Sequence, residues 1–97
     1  MKSHVLEVAI FTLKPGFAGE IERLRDGLRQ TLREFPGLIE YQGYAPLEAG
    51  RYADIAKWQD LQCAQAVAQA FAEGDARFAP YAEAIETLQF MGHFTSA

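Results

Sequence analysis

The stretch Val5–Leu13, VLEVAIFTL, is apolar on both of its sides. Written as a strand, it sets Leu6, Val8 and Ile10 on one face and Val5, Ala9, Phe11 and Leu13 on the other, with Glu7 as the single charge. Such a strand is stable only when it is buried on both faces. Any sheet that includes it therefore needs cover on each side, and this demand constrains the fold more than any other feature of the chain.

Lys14-Pro15-Gly16 ends the strand with a turn signal. From Phe17 the apolar period changes. Phe17, Ile21, Leu24, Leu28, Leu32 and Phe35 recur every three or four residues, with Glu20, Glu22, Arg23, Arg25, Asp26, Arg29 and Arg33 between them. This spacing predicts an amphipathic helix with one buried stripe. Gly27 inside it costs about 1 kcal/mol relative to alanine, too little to break the pattern. Pro36-Gly37 stops the helix. Leu38–Ala45 and Tyr52–Gln59 read as a pair of strands joined through the loop Pro46–Gly50. Asp60 is suited to cap the next helix, whose apolar face is Leu61, Ala64, Val67, Ala68 and Phe71 and which Gly74 closes. Asp75 heads a short helical turn through Ala76–Tyr81, and Glu86–Phe94 is the last strand.

The order strand-helix-strand-strand-helix-strand is that of a ferredoxin-like α+β fold, one domain over residues 1–97, with an antiparallel sheet and both helices on one face. Two helices cover only that face. The requirement set by Val5–Leu13 is then met by a second copy of the chain, sheet packed against sheet, so a homodimer is expected.

Composition narrows the partners. The net charge is −4 and the basic residues form no cluster, which argues against nucleic acid or an anionic membrane surface. No apolar run is long enough to cross a membrane, and MKSHVLEVAIF is too short and too acidic for a signal peptide, so a cytoplasmic protein is expected. The single cysteine, Cys63, has no partner cysteine and no zinc-ligand spacing. It falls on the first turn of a helix, where the dipole lowers a thiol's pKa, but with no basic neighbour in sequence it reads as structural. Phosphate-binding loops, nucleophilic triads and CxxC pairs are all missing from the sequence.

The residues with chemistry to offer are few. The chain holds two histidines, His4 and His93. In the ferredoxin-like order the first and last strands are antiparallel neighbours, which brings His4 towards His93. They would form an acid/base pair, or with Glu7 a partial metal site, or two half-buried strand residues satisfied by backbone or water. A two-histidine metal site wants a third ligand within reach. Glu7 is expected to alternate with the partner of His93 rather than to match it unless the register shifts by one, so no metal site is expected. Trp58, Tyr41, Tyr44, Tyr52, Phe78 and Tyr81 form an aromatic set that would line a pocket for a flat ring, or else fill the core and the dimer interface. Asp54 shares a strand face with Trp58, there to orient a phenol, cap a loop or pair across the dimer. Gly92 removes a side chain on the face opposite His93, which leaves room for a helix or a ligand.

The "LKPG" turn, the "YADIAKW" strand running into a helix and the closing "ARFAPYAEAI…GHF" resemble the dimeric α+β barrel superfamily over essentially the whole chain, in particular its antibiotic-biosynthesis-monooxygenase-like branch. The resemblance implies a pocket between sheet and helices in each protomer, with Trp58 lining it and Tyr81 closing one side. It also implies a choice of activities. Haem-degrading members carry an asparagine on the first strand, where this chain has Ala9 or Ile10, and a histidine on the second helix, where Leu61–Glu73 has none. Cyclase-like members pair a first-strand histidine with one on or near the second helix, and here only His4 is present. The reading that follows is a monooxygenase-like protein without a cofactor, acting on an aromatic or quinol. Its pocket would be made by Trp58, Phe78, Tyr81 and Tyr41, and its base would be His93 or His4. The alternative is a small-molecule-binding or structural dimer of the same fold, with polyketide-cyclase-like activity behind both.

Overall fold

In the computed structural model, which describes residues 4–48 and 50–96, the four strands are β1 (Val5–Leu13), β2 (Leu38–Tyr44), β3 (Tyr52–Trp58) and β4 (Ile85–Thr95). They form one antiparallel sheet in the order β2-β3-β1-β4, so the strand with two apolar faces is an interior strand. Helices α1 (Ile21–Arg33), α2 (Leu61–Ala72) and α3 (Ala79–Ala84) cover one face. Single 3₁₀ turns, Ala18–Glu20 and Ala76–Phe78, lead into α1 and α3. The ferredoxin-like reading holds, with each expected element present and its ends moved by a few residues. No helix among the described residues is long and apolar enough to cross a membrane.

Local chemistry explains most of the element ends. The Asp60 carboxylate accepts from the Cys63 N–H at 2.9 Å and caps α2. Asp75 does the same for the turn that follows, accepting from the Arg77 N–H at 2.9 Å. Gly37 has a φ of +91°, open to glycine at no steric cost, and a Cβ there would also strike the Cys63 side chain. Leu61, assigned to the apolar face of α2, stands at its first position and is 45% exposed.

Cross-strand pairing arranges the helix-facing side in rows perpendicular to the strands. One row runs Leu38, Trp58, Val5, Thr95, and the next Tyr41, Ala56, Glu7, His93. A third runs Gly43, Asp54, Ala9, Met91, and a fourth Tyr52, Phe11, Leu88. Two irregularities in β4 adjust this lattice. Pairing steps from Ile10–Phe90 to Phe11–Leu88, and again from Thr12–Thr87 to Leu13–Ile85. Each bulge reverses the alternation. As a result Leu88 faces inwards instead of Gln89, and Ile85 instead of Glu86.

On the other side of the sheet Leu6, Val8, Ile10, Ile55, Phe90 and Phe94 have no helix over them, and Phe90 and Phe94 are 42% and 50% exposed. The space left by Gly92 is filled from this side. A Cβ there would lie 2.7 Å from Phe90 Cζ, and the Phe90 ring stacks on Phe94 at 5.9 Å. Gly92 therefore makes room for an aromatic ring of its own strand, not for a helix or a ligand on the inner face.

Candidate active site

Between the sheet, α1, α2 and the segment leading to β4 lies a cavity of about 70 Å³. Its floor is the pair of small residues Ala9 and Ala56, in adjacent rows of the lattice. Leu28, Leu32, Val67, Phe71 and Phe78 wall it, and the partly exposed Leu88 and Met91 stand at the β4 edge. The polar members are Glu7, Tyr41, Asp54 and Tyr81. An engineered apolar cavity that holds benzene has roughly 150 Å³, so a ring would enter here only if the β4 side gave way.

Glu7 and His93 occupy neighbouring places in one row, and His93 Nε2 lies 3.0 Å from Glu7 Oε2. Their side chains are 11% and 24% exposed. Burial pushes the Glu7 carboxyl up, while the hydrogen bond and charge of His93 pull against it. The expected one-residue offset between Glu7 and His93 is thus corrected: the ladder pairs them directly. The expected approach of His4 to His93 is corrected as well. Val5 pairs with Thr95, which leaves His4 just beyond the ladder, exposed, with its carbonyl accepting from Thr95 Oγ1 at 3.1 Å. Of the dyad, Glu7 forms part of the cavity wall and His93 stands behind it.

The second polar group is built around Asp54. Arg25 reaches from α1 to bind its Oδ1 through Nε at 3.1 Å and through a terminal nitrogen at 2.9 Å. The guanidinium also donates to the carbonyls of Tyr44 at 3.1 Å and Ala53 at 3.3 Å. The Tyr81 hydroxyl donates to Asp54 Oδ2 in a short hydrogen bond. Burial pushes the Asp54 carboxyl up against the pull of Tyr81 and Arg25. It raises both Tyr81 and Tyr41 as well, with the charge of Asp54 adding to the effect, so both phenols stay protonated. The Tyr41 hydroxyl lies within electrostatic reach of Asp54 and Tyr81 but makes no hydrogen bond of regular geometry.

Sequence reasoning missed Arg25, which it placed on the solvated side of α1 and which is only 9% exposed. The signal was present: position 25 lies four residues after Ile21 and three before Leu28, on the buried stripe. Gly43 is the complementary signal, because a Cβ there would collide with the guanidinium. Asp54 finds its ion-pair partner within its own chain, in place of the expected pairing across a dimer.

Of the aromatic set, Tyr41, Phe78 and Tyr81 stand in the cavity wall. Trp58 does not, which corrects the pocket-lining role that the resemblance implied. It is fully buried, one row away from the cavity floor, beneath the Leu38–Val5 end of the sheet. Tyr52 packs on Phe11 at 6.0 Å, and Tyr44 is half exposed. No group of three or more His, Cys, Asp or Glu among the described residues is arranged to hold a metal ion.

The sheet order and the helix cover define a ferredoxin-like α+β protein of the kind found among antibiotic-biosynthesis-monooxygenase-like proteins. A candidate antibiotic biosynthesis monooxygenase from Bordetella bronchiseptica superposes with a TM-score of 0.83 at 15% identity, covering 99% of each chain. SnoaB, a cofactor-independent oxygenase from Streptomyces nogalater, gives 0.66 at 22% identity, covering 98% of this chain and 92% of its own. A dimeric ferredoxin-like protein of unknown function from Thermobifida fusca gives 0.73 at 17% identity, over 99% and 93% of the two chains. No protein-family model and no curated protein sequence matches the chain.

Proposed function

We propose that the protein is a cofactor-independent oxygenase for a small aromatic or quinol-type molecule, assembled as a homodimer through the helix-free face of the sheet. The observation that carries this reading is a buried carboxylate, Glu7, backed by His93 and lining a mainly apolar cavity. Burial makes that carboxylate a better base. It takes the proton of the reacting O–H or C–H, and His93 holds it in place and shares the charge. The resulting electron-rich anion passes an electron to dioxygen, and the two radicals join at the ring carbon that shares the charge to give a peroxide, which takes back the proton from Glu7. The O–O bond and the remaining C–H bond of that carbon then break, releasing water and leaving a carbonyl. One oxygen atom remains in the product. The apolar wall of Leu28, Leu32, Val67 and Phe78 keeps water from the anion in the meantime. Tyr41 and Tyr81 close the wall on the Asp54 side. His4, beyond the ladder, has no part in this scheme.

The homodimer rests on the uncovered apolar side of β1 and on Phe90 and Phe94 beside it. The size of the cavity favours a second reading, a dimer that binds a small molecule without transforming it. Oxygen uptake with a panel of monocyclic quinols and phenols separates the two. Uptake that Glu7→Gln abolishes supports the oxygenase. No uptake with any of them, together with thermal stabilisation by the same compounds, leaves binding alone.

A further inference from the structure

We propose that the ligand of this cavity is a ring that carries an alkyl chain, and that the chain leaves through an opening between α2 and β4, where Leu88 and Met91 select for it. This rests on the cavity being a ligand site, as proposed above, but not on any oxygen chemistry.

The cavity is closed on one side and open on the other. Every residue that α1, β2 and β3 contribute to its wall is buried. The wall residues that solvent reaches, among them Ala68 and Phe71 on α2, Ala9 on β1 and Leu88 and Met91 on β4, lie together on the other half of the sheet. The strand order explains this. β4 is an edge strand, and α2 lies over β1 and β3, so the inner side of β4 is left without a helix across it. The first bulge in β4 then decides what stands at the opening. It turns Leu88 inwards in place of Gln89, and Met91 follows it in the next row, beside Ala9. An edge that regular alternation would have lined with an amide is lined with a leucine and a methionine.

Size and wall chemistry together specify the ligand. The cavity, at about 70 Å³, has less than half of the roughly 150 Å³ of an apolar cavity that holds benzene. A ring seated against Leu28 and Leu32 therefore pushes on the side chains at the opening, and a substituent on its outer side has only that opening to pass through. Met91 is suited to yield, being unbranched with three rotatable bonds. The side chains there offer carbon and one thioether: Ala68 and Phe71 from the helix, Leu88 and Met91 from the strand. Leu88 and Met91 are 42% and 37% exposed, so an alkyl chain laid between strand and helix takes their apolar surface out of water along with its own. A carboxylate or phosphate in place of the chain would gain nothing from these walls. It would also meet the like charge of Glu7, which lines the same cavity.

The test is calorimetric titration with phenol and the 4-alkylphenols from ethyl to hexyl. In the wild-type protein the affinity should rise about two- to fourfold for each methylene that the opening covers, and level off once the chain passes into solvent. Met91→Gln and Leu88→Gln, each of similar size, should flatten that rise to less than about twofold per methylene. If Met91→Gln fails to fold, Leu88→Gln decides alone. A rise that persists unchanged in a folded Leu88→Gln and Met91→Gln would place the chain elsewhere, such as on Phe90 and Phe94, and overturns the proposal. A protein that binds phenol but shows no gain along the series overturns it too, since Leu88 and Met91 are then covered by the partner copy; the ligand site itself would stand. Binding of none of these compounds would overturn the ligand site together with this proposal. Binding along the expected series without oxygen uptake in air would overturn only the oxygenase reading.

Discussion

Glu7 and His93 face each other across the β1–β4 ladder, carboxylate oxygen to imidazole nitrogen at 3.0 Å, although 86 residues separate them in the chain. Burial raises the Glu7 carboxyl above its usual 4.5, so between that value and its raised one the folded protein binds more protons than the unfolded chain. Stability from this group is therefore lost as pH rises through the window, and the cost grows towards its upper end. Glu7→Gln keeps a hydrogen-bonding group and removes the buried charge. We expect it to gain about 1 kcal/mol at neutral pH, as is typical when an active-site cost is relieved. The gain should shrink as pH falls towards 4.5. Thermal melts across that range check this, and a variant less stable than wild type at neutral pH would contradict it.

His93→Gln tests the other half of the dyad. With a confirmed substrate we expect kcat to fall by about 10²-fold while the assembly stays intact. Full activity in this variant would return His93 to a purely structural place in β4.

Arg25 and Asp54 make the most deeply buried ion pair among the described residues, with side chains 10% exposed on each side. Arg25→Met leaves the Asp54 carboxylate unpaired in the interior, and we expect a loss of about 3–5 kcal/mol in denaturant unfolding. Asp54→Asn should cost less, because Arg25 keeps the carbonyls of Tyr44 and Ala53 as acceptors. The reverse order of severity would show that the pair is not what holds α1 to the β2–β3 hairpin.

Ile10 points to the helix-free side of the sheet and Ala9 to the cavity. If two sheets pack face to face, Ile10→Asp puts an unpaired charge into that interface and should give monomers. Sedimentation velocity decides the matter. A wild-type chain that runs as a stable 10.8 kDa species at micromolar concentration would refute the dimer itself.

Haem is expected not to bind through an α2 histidine, since Leu61–Ala72 contains no imidazole. Titration of the protein with haemin checks this. A histidine-ligated Soret band that persists in both His4→Ala and His93→Ala would overturn the ligand argument.

The elements of this fold were legible in the sequence because their causes are local. The apolar period of Phe17–Phe35 marks a helix whatever it packs against. Asp60 caps α2 through a residue three positions away, and the two apolar faces of Val5–Leu13 require an interior strand with cover on both sides. The site was decided by tertiary structure. Which residue of β4 faces Glu7 depends on a register between chain ends and on two bulges that turn Leu88 and Ile85 inwards in place of Gln89 and Glu86. One residue of slip would have sent each of these side chains to the other face. The burial of Arg25 depends on Asp54 and on the missing side chain at Gly43, both far along the chain. Trp58 belongs to the core and not to the cavity for the same reason: a pairing partner sets its row, and no neighbour in sequence specifies that partner.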